Sequence, residues 1–252
     1  MATDYPKFLY DNRLNDATAV ASTTASGNVL NLSDYRSYSF WTPSAIPATV
    51  TVDCGAAASA DYALIAHHNL FTQGCTIQIR ASTDNFSASD VLIASSTPTD
   101  DKPVLLQFNS ASYRYWRLSI TAGSAPTIGA CLIGEVLDIP ASIASGFDPI
   151  GRTVKGQYNK TVEGHPIGRL IEFEEWAQSL TFQLITWAWL RDTFDNAWDA
   201  HLKSEPFYFA WNPTNYPKEV HHVTIEGKFS SPHLAGALAN LTLAMRGLSL
   251  AA

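Results

Sequence analysis

Hydrophobic and polar positions alternate with a period of two in several short stretches of this chain. Over residues 114–120, RYWRLSI, Trp116, Leu118 and Ile120 fall on one side and Tyr115, Arg117 and Ser119 on the other, the pattern of a half-buried β-strand. A turn region rich in Gly, Ser and Pro follows at 122–127, and then a second apolar run over 128–139, bounded by Gly129, Gly134 and Pro140. These two runs predict a hairpin that closes a β-sandwich. Upstream, TVTVDCG (49–55), DYALIAH (61–67), CTIQIR (75–80) and 104–108 supply its other strands, and Ser82-Thr83-Asp84-Asn85 is a turn signal. Residues 11–34 are small and polar with no helical period, so they predict loop with at most short edge strands. Short strands, turns and no helix indicate a sandwich or jelly roll.

Beyond residues 141–150, a Gly- and Pro-containing linker, the pattern changes. Residues 169–173 and 179–185 read as strands. Trp187, Leu190, Phe194 and Trp198 then recur at spacings of three and four, opposite Arg191, Asp192, Asp195 and Asp199: an amphipathic helix ending by Pro206. A short apolar strand, PFYFAW (206–211), comes next, and Val223, Ile225 and Phe229, then Leu241, Leu243 and Met245, mark further strands. The fold class expected is mainly β, with a jelly roll over 1–140 and an α+β roll carrying one helix over 151–252.

Composition narrows the function. The 252 residues are 46% hydrophobic and 15% charged, enough to bury a real core. A formal charge of −7 disfavours specific nucleic-acid binding, which needs a basic surface. The N-terminus carries no basic region followed by an apolar one, and no apolar run approaches the ~18 residues of a membrane span, so assembly in a cytoplasm is expected. Three cysteines, an odd count without CxxC spacing, support neither a disulfide framework nor a zinc ribbon. Cys54, Cys75 and Cys131 are in phase with apolar strand positions and read as small buried hydrophobes.

Candidate chemistry is sparse. There is no GxSxG, no Walker loop and no HEXXH. His67-His68 and His221-His222 are adjacent on strands, so each pair points to opposite faces and does not chelate as a unit; one imidazole inward and hydrogen-bonded, the other solvated, is the expectation. Glu172, Glu174 and Glu175 are sequence neighbours, whereas glycosidase carboxylates come from separate elements, so they read as a solvated face. No enzyme and no cofactor is expected. Tyr38, Phe40 and Trp41 form an aromatic cluster that is either a sugar-stacking platform or the plug of one end of a sandwich, the plug being the commoner role.

Trp41-Thr-Pro, TVTVDCG, DYALIAHHNL, IQIRASTDN, YRYWRLSI and IGACLIGEVLDIP, in that order over about residues 8–140, resemble the discoidin-like (galactose-binding-like) jelly roll, and more narrowly the version found in tail proteins of long-tailed bacteriophages. The sequence departs from the usual pattern at Cys54 and His67. The later order of strand, helix, PFYF strand and terminal hairpin resembles the ring-forming β-roll of tail-tube and distal-tail proteins. These resemblances imply a structural virion protein: a distal-tail or baseplate ring component, trimeric or hexameric, with tail-tube, tape-measure and baseplate-hub proteins as partners. Phe207, Phe209 and Trp211 are then candidate subunit contacts, with core packing as the commoner role. The alternative is a carbohydrate-binding module holding a host surface glycan through Tyr38, Trp41, His68 and Asn69.

Overall fold

The computed structural model describes residues 5–249. The first part of the chain contributes β1 (Lys7–Leu9), β2 (Val20–Ala21), β3 (Ser26–Gly27), β4 (Trp41–Thr42), β5 (Ala48–His68), β6 (Thr76–Ser82), β7 (Val91–Ser96), β8 (Val104–Ala122), β9 (Ile128–Gly134) and β10 (Leu137–Asp138). The rest contributes β11 (Thr153–Lys160), β12 (Pro166–Thr186), one helix α1 (residues 187–202), β13 (Phe207–Ala210), β14 (Val220–Ile225), β15 (His233–Ala235) and β16 (Leu238–Ser249). The fold is mainly β, with two antiparallel sheets, as the residue pattern predicts.

The first sheet runs β3-β4-β9-β5-β8-β6-β7, with β2 on β5. Its long strands β5 and β8 fold the sheet over. They pair from Ala48↔Ile120 to Asp53↔Tyr115, lose register, and resume from Ala58↔Tyr113 to Ile65↔Val104. The corner is built from small residues, and Gly55 adopts a positive φ of 75° there, a conformation that glycine takes without steric cost. Val50, Val52, Ile77, Ile79, Trp116 and Leu118 on one layer meet Ala63, Ile65, Cys131 and Ile133 on the other in a single core. This is a β-sandwich.

One expected pairing is different. β8 and β9 do not form a hairpin, because β5 lies between them and pairs with both. The turn region at 122–127 carries the chain from the end of β8 to the far side of β5. Cys75 and Cys131 are buried, while Cys54 is half-buried near the corner.

The second sheet runs β10-β1-β13-β14-β16-β12-β11, with β15 on β16. β1 and β10 lie within residues 1–140 yet pair here. One face carries Phe8, Trp176, Phe182, Phe207, Phe209 and Leu241, and packs on Leu190, Phe194, Ala197 and Leu202 of α1. The helix includes π-helical turns at Leu190–Phe194 and Trp198–Leu202, and Thr186 caps its start by accepting from the Trp189 amide. Leu9, Tyr208, Ala210 and Val220 on the opposite face pack against Tyr62, Leu64, Leu105 and Leu132 of the sandwich. The second sheet is therefore covered on both faces where β1, β13 and β14 run.

β12 outruns that cover. From Trp176 onward it pairs with β16, but among the described residues Pro166 to Glu175 pair only with β11. The β11–β12 hairpin thus projects from the sheet.

Candidate functional site

The outward face of the first sandwich layer follows from the alternation that builds its core. With Val50 and Val52 inside, Thr49, Thr51 and Asp53 of β5 face out; with Trp116 and Leu118 inside, Tyr115 and Arg117 of β8 face out beside them. Together with Thr18, Ser22 and Asn85 from flanking loops and edge, these residues line a groove of ≈ 380 Å³. The lining is polar, apart from the Tyr115 ring and the edge residues Val20 and Ala21.

Two arginines define its electrostatics. Arg114 donates from Nε and Nη2 to both carboxylate oxygens of Asp53, at 2.7 and 2.8 Å, and this fork holds Asp53 well below the usual carboxylate range. Arg117 is placed differently. Its Nε donates to Thr51 Oγ1 at 2.8 Å, and its guanidinium carbon lies 3.4 Å from the centroid of the Phe86 ring. Burial, with Arg80 beside it, pushes the Arg117 guanidinium down, against an upward pull from Asp90.

The site residues expected from sequence lie elsewhere. Trp41 and His68 both pair with Ile128, and the Asn69 side chain accepts from the Thr127 amide at 2.7 Å, so three of the four come together at one end of the sandwich. They do not form an open site. Trp41 is fully buried in the sandwich core, with Nε1 donating to Thr24 Oγ1, which corrects its reading as a sugar platform and makes it the plug. His68 is buried, and its Nδ1 accepts from the Leu70 amide; burial lowers it to about 4. Tyr38 is exposed on the preceding loop.

Phe207 and Phe209 are also corrected. Both are fully buried, with ring centroids 4.9 and 5.6 Å from Phe8, and belong to the core beneath α1. Trp211 is half-buried, stacks on Tyr216 at 5.1 Å and donates to Glu219. The histidine pairs do split between faces, but neither His221 nor His222 is solvated. His221 stacks on Trp176 at 4.4 Å and His222 on Tyr208 at 4.7 Å, each beneath a different covering layer. The three glutamates are exposed or ion-paired: Glu175 meets Lys155 at 2.7 Å, and Glu174 meets Arg152 at 3.6 Å.

The groove residues were visible in the sequence only as the polar side of TVTVD and YRYWRLSI. What makes them a groove is the Asn85 loop and the β2 edge, which no local period announces.

No protein-family model and no curated protein sequence matches the chain. Solved structures do. A family 32 carbohydrate-binding module of NanJ from Clostridium perfringens, in complex with galactose, matches with a TM-score of 0.42 at 15% identity, covering 51% of this chain and 98% of that one. CpGH89CBM32-5, also from Clostridium perfringens and in complex with GalNAc-β-1,3-galactose, matches with a TM-score of 0.43 at 13% identity, covering 50% and 99%. Chitosan-binding module 1 of a chitosanase/glucanase from Paenibacillus sp. IK-5 matches with a TM-score of 0.42 at 16% identity, covering 48% and 97%. These neighbours are carbohydrate-binding modules, each about half the length of this chain.

Proposed function

We propose that this chain is a non-catalytic glycan-binding protein whose sandwich holds carbohydrate in the groove between β2, the start of β5 and the end of β8. The observation that carries this reading is the groove lining: Thr49, Thr51, Asn85 and Arg117 present hydrogen-bonding groups, Tyr115 adds a ring, and a packed sheet holds most of them rigid. Sugars are recognised by such sets, in which polar groups meet hydroxyls and a ring covers an apolar sugar face. The neighbours that bind galactose or chitosan fit the same reading. The test is a glycan array with the folded full-length chain, followed by Tyr115→Ala. Binding lost in Tyr115→Ala with unchanged thermal stability supports it; silence across the array overturns it.

A second reading has its own observation. The projecting β11–β12 hairpin carries Tyr158, Ile167, Leu170, Ile171 and Phe173, each more than half exposed, and β11 is an open sheet edge. A monomer gains nothing from exposing such a strand pair, and self-assembly is the usual way to cover it. This supports self-association through the hairpin, and we propose as its form the ring that the resemblance of the second part implies, a distal-tail or baseplate component of a bacteriophage tail that stacks on tail-tube and hub proteins. The two readings are compatible, because the groove lies on the sandwich and the hairpin on the second sheet. Light scattering and negative-stain microscopy test the ring: a trimer or hexamer with a central hole supports it, and a monomer at every concentration counts against it.

A further inference from the structure

Among the described residues, Arg117 is the charged side chain of this groove without an ion-pair partner. β8 sets it opposite Thr51 on one side and Arg80 on the other. Asp90, the acidic group whose charge acts on Arg117, is committed to Arg80, which binds it through Nε at 2.6 Å and Gln78 through Nη1 at 2.8 Å. Among the described residues, no carboxylate lies within ion-pair distance of Arg117. Its Nε edge is taken by Thr51 and one face of its guanidinium by Phe86, while neither terminal nitrogen has a hydrogen-bond partner among the described residues.

The support under Arg117 is built at a cost in backbone conformation. Asn85 and Phe86 are consecutive non-glycine residues with φ of 57° and 62°, in the left-handed region. They are held there by a dense hydrogen-bond cage: Ser82 Oγ accepts from the Asp84 and Phe86 amides, and the Asp84 carboxylate accepts from the amides of Ser87, Ala88 and Ser89. Strain of this kind persists where surrounding structure over-determines it, and it clusters at binding sites. Here it places the Phe86 ring under the Arg117 guanidinium and the Asn85 side chain in the lining of the groove.

We propose that the Arg117 fork is a receptor for a sugar carboxylate, so that the groove selects acidic glycans over neutral ones. This rests on the glycan-binding reading and specifies its ligand. A carboxylate is planar and bidentate, the shape a guanidinium fork matches, and an arginine already fixed by stacking loses little freedom on pairing. Asn85, Thr49 and Tyr115 line the same groove and offer polar groups for the ring hydroxyls of a pyranose, the Tyr115 side chain being hydrogen-bonded to Asp53. Uronic and sialic acids both carry this group.

The experiment is calorimetric titration of the full-length chain at neutral pH with trigalacturonate and its methyl ester, and with sialyllactose and lactose. One acid is expected to bind at least about tenfold more tightly than its neutral counterpart, and which pair shows the difference separates uronate from sialate. Arg117→Gln is expected to abolish that preference. Arg117→Lys, which keeps the charge without the fork and decides the matter if the glutamine variant does not fold, is expected to lose most of it. Equal affinity for acidic and neutral sugars, or a preference that survives in both variants, overturns the carboxylate assignment and leaves glycan binding standing. A folded wild-type chain that binds neither these sugars nor any member of a glycan array overturns the glycan reading, and this inference with it.

Discussion

The Tyr208 ring and the His222 imidazole stack with centroids 4.7 Å apart and planes 20° from parallel, at the junction between the second sheet and the sandwich. His67, from the end of β5, meets the same imidazole at 5.5 Å. Neither His222 Nε2 nor His67 Nε2 has a hydrogen-bond partner there, so this junction accommodates neutral imidazole and penalises imidazolium.

Stability is therefore expected to fall in mild acid. Burial, the leading cause at each site, lowers His68, His221 and His222 to about 4 from the ordinary imidazole value of 6.5. The unfolded chain takes up protons near 6.5 while the folded chain resists until about 4. The contribution is thus fully present above 6.5, shrinks as pH falls from 6.5 to 4, and loses nothing further below that. At about 1.4 kcal/mol per pKa unit, each histidine removes up to about 3 kcal/mol across this window. Melting temperature measured from pH 8 to pH 4 is expected to drop steeply, and less steeply in His222→Gln; a flat profile contradicts the neutral assignment.

Trp41 and Tyr38, neighbours in sequence, are expected to respond oppositely to truncation. Trp41 is fully buried on β4 beside β9, so Trp41→Ala costs about 3–5 kcal/mol through the cavity left in the sandwich. Tyr38 is exposed, and Tyr38→Ala changes stability by no more than about 0.5 kcal/mol. Denaturant unfolding of the two variants distinguishes a structural plug from a loop-borne aromatic.

Period-two alternation exposed most of the sandwich, because each of its layers has one inner face and one face toward water. TVTVD and YRYWRLSI therefore carry their inward residues at every second position. The same reasoning fails at His221-His222, where α1 and the sandwich cover opposite faces of one strand and adjacent residues are both buried. It also misses β1, whose three residues are too short to show a period but put Phe8 under the helix and Leu9 against the sandwich. The candidate site was legible only in part. Arg117 was visible as a polar position, but its stacking on Phe86 depends on two left-handed residues that no alternation reports.

Polar substitution on the hairpin separates association from folding. Leu170 and Phe173 are exposed on a part of β12 that, among the described residues, pairs only with β11, so Leu170→Ser with Phe173→Ser is expected to shift monomer stability by less than about 1 kcal/mol. If the hairpin is an assembly surface, the same pair lowers the mass seen by concentration-dependent light scattering. An assembly whose mass is unchanged by this pair is held together elsewhere.

Gly134 and Gly168 offer a paired test of backbone approach. A Cβ on Gly134 stands 2.2 Å from the Asp11 carbonyl oxygen, and that carbonyl has little room to retreat. Tyr62 donates its hydroxyl to it at 2.5 Å, while the Asp11 carboxylate is bound by Arg13 at 2.7 Å and accepts from the Glu135 amide at 2.8 Å. Gly134→Ala is therefore expected to cost about 1–3 kcal/mol, by prying the N-terminal segment from the end of β9. At Gly168, in the hairpin, a Cβ meets open space and φ is not positive. Gly168→Ala is expected to be neutral, or to stabilise by up to about 1 kcal/mol through reduced freedom of the unfolded chain. Comparable losses at both positions, measured by thermal and denaturant unfolding, contradict the close packing of Asp11 on β9.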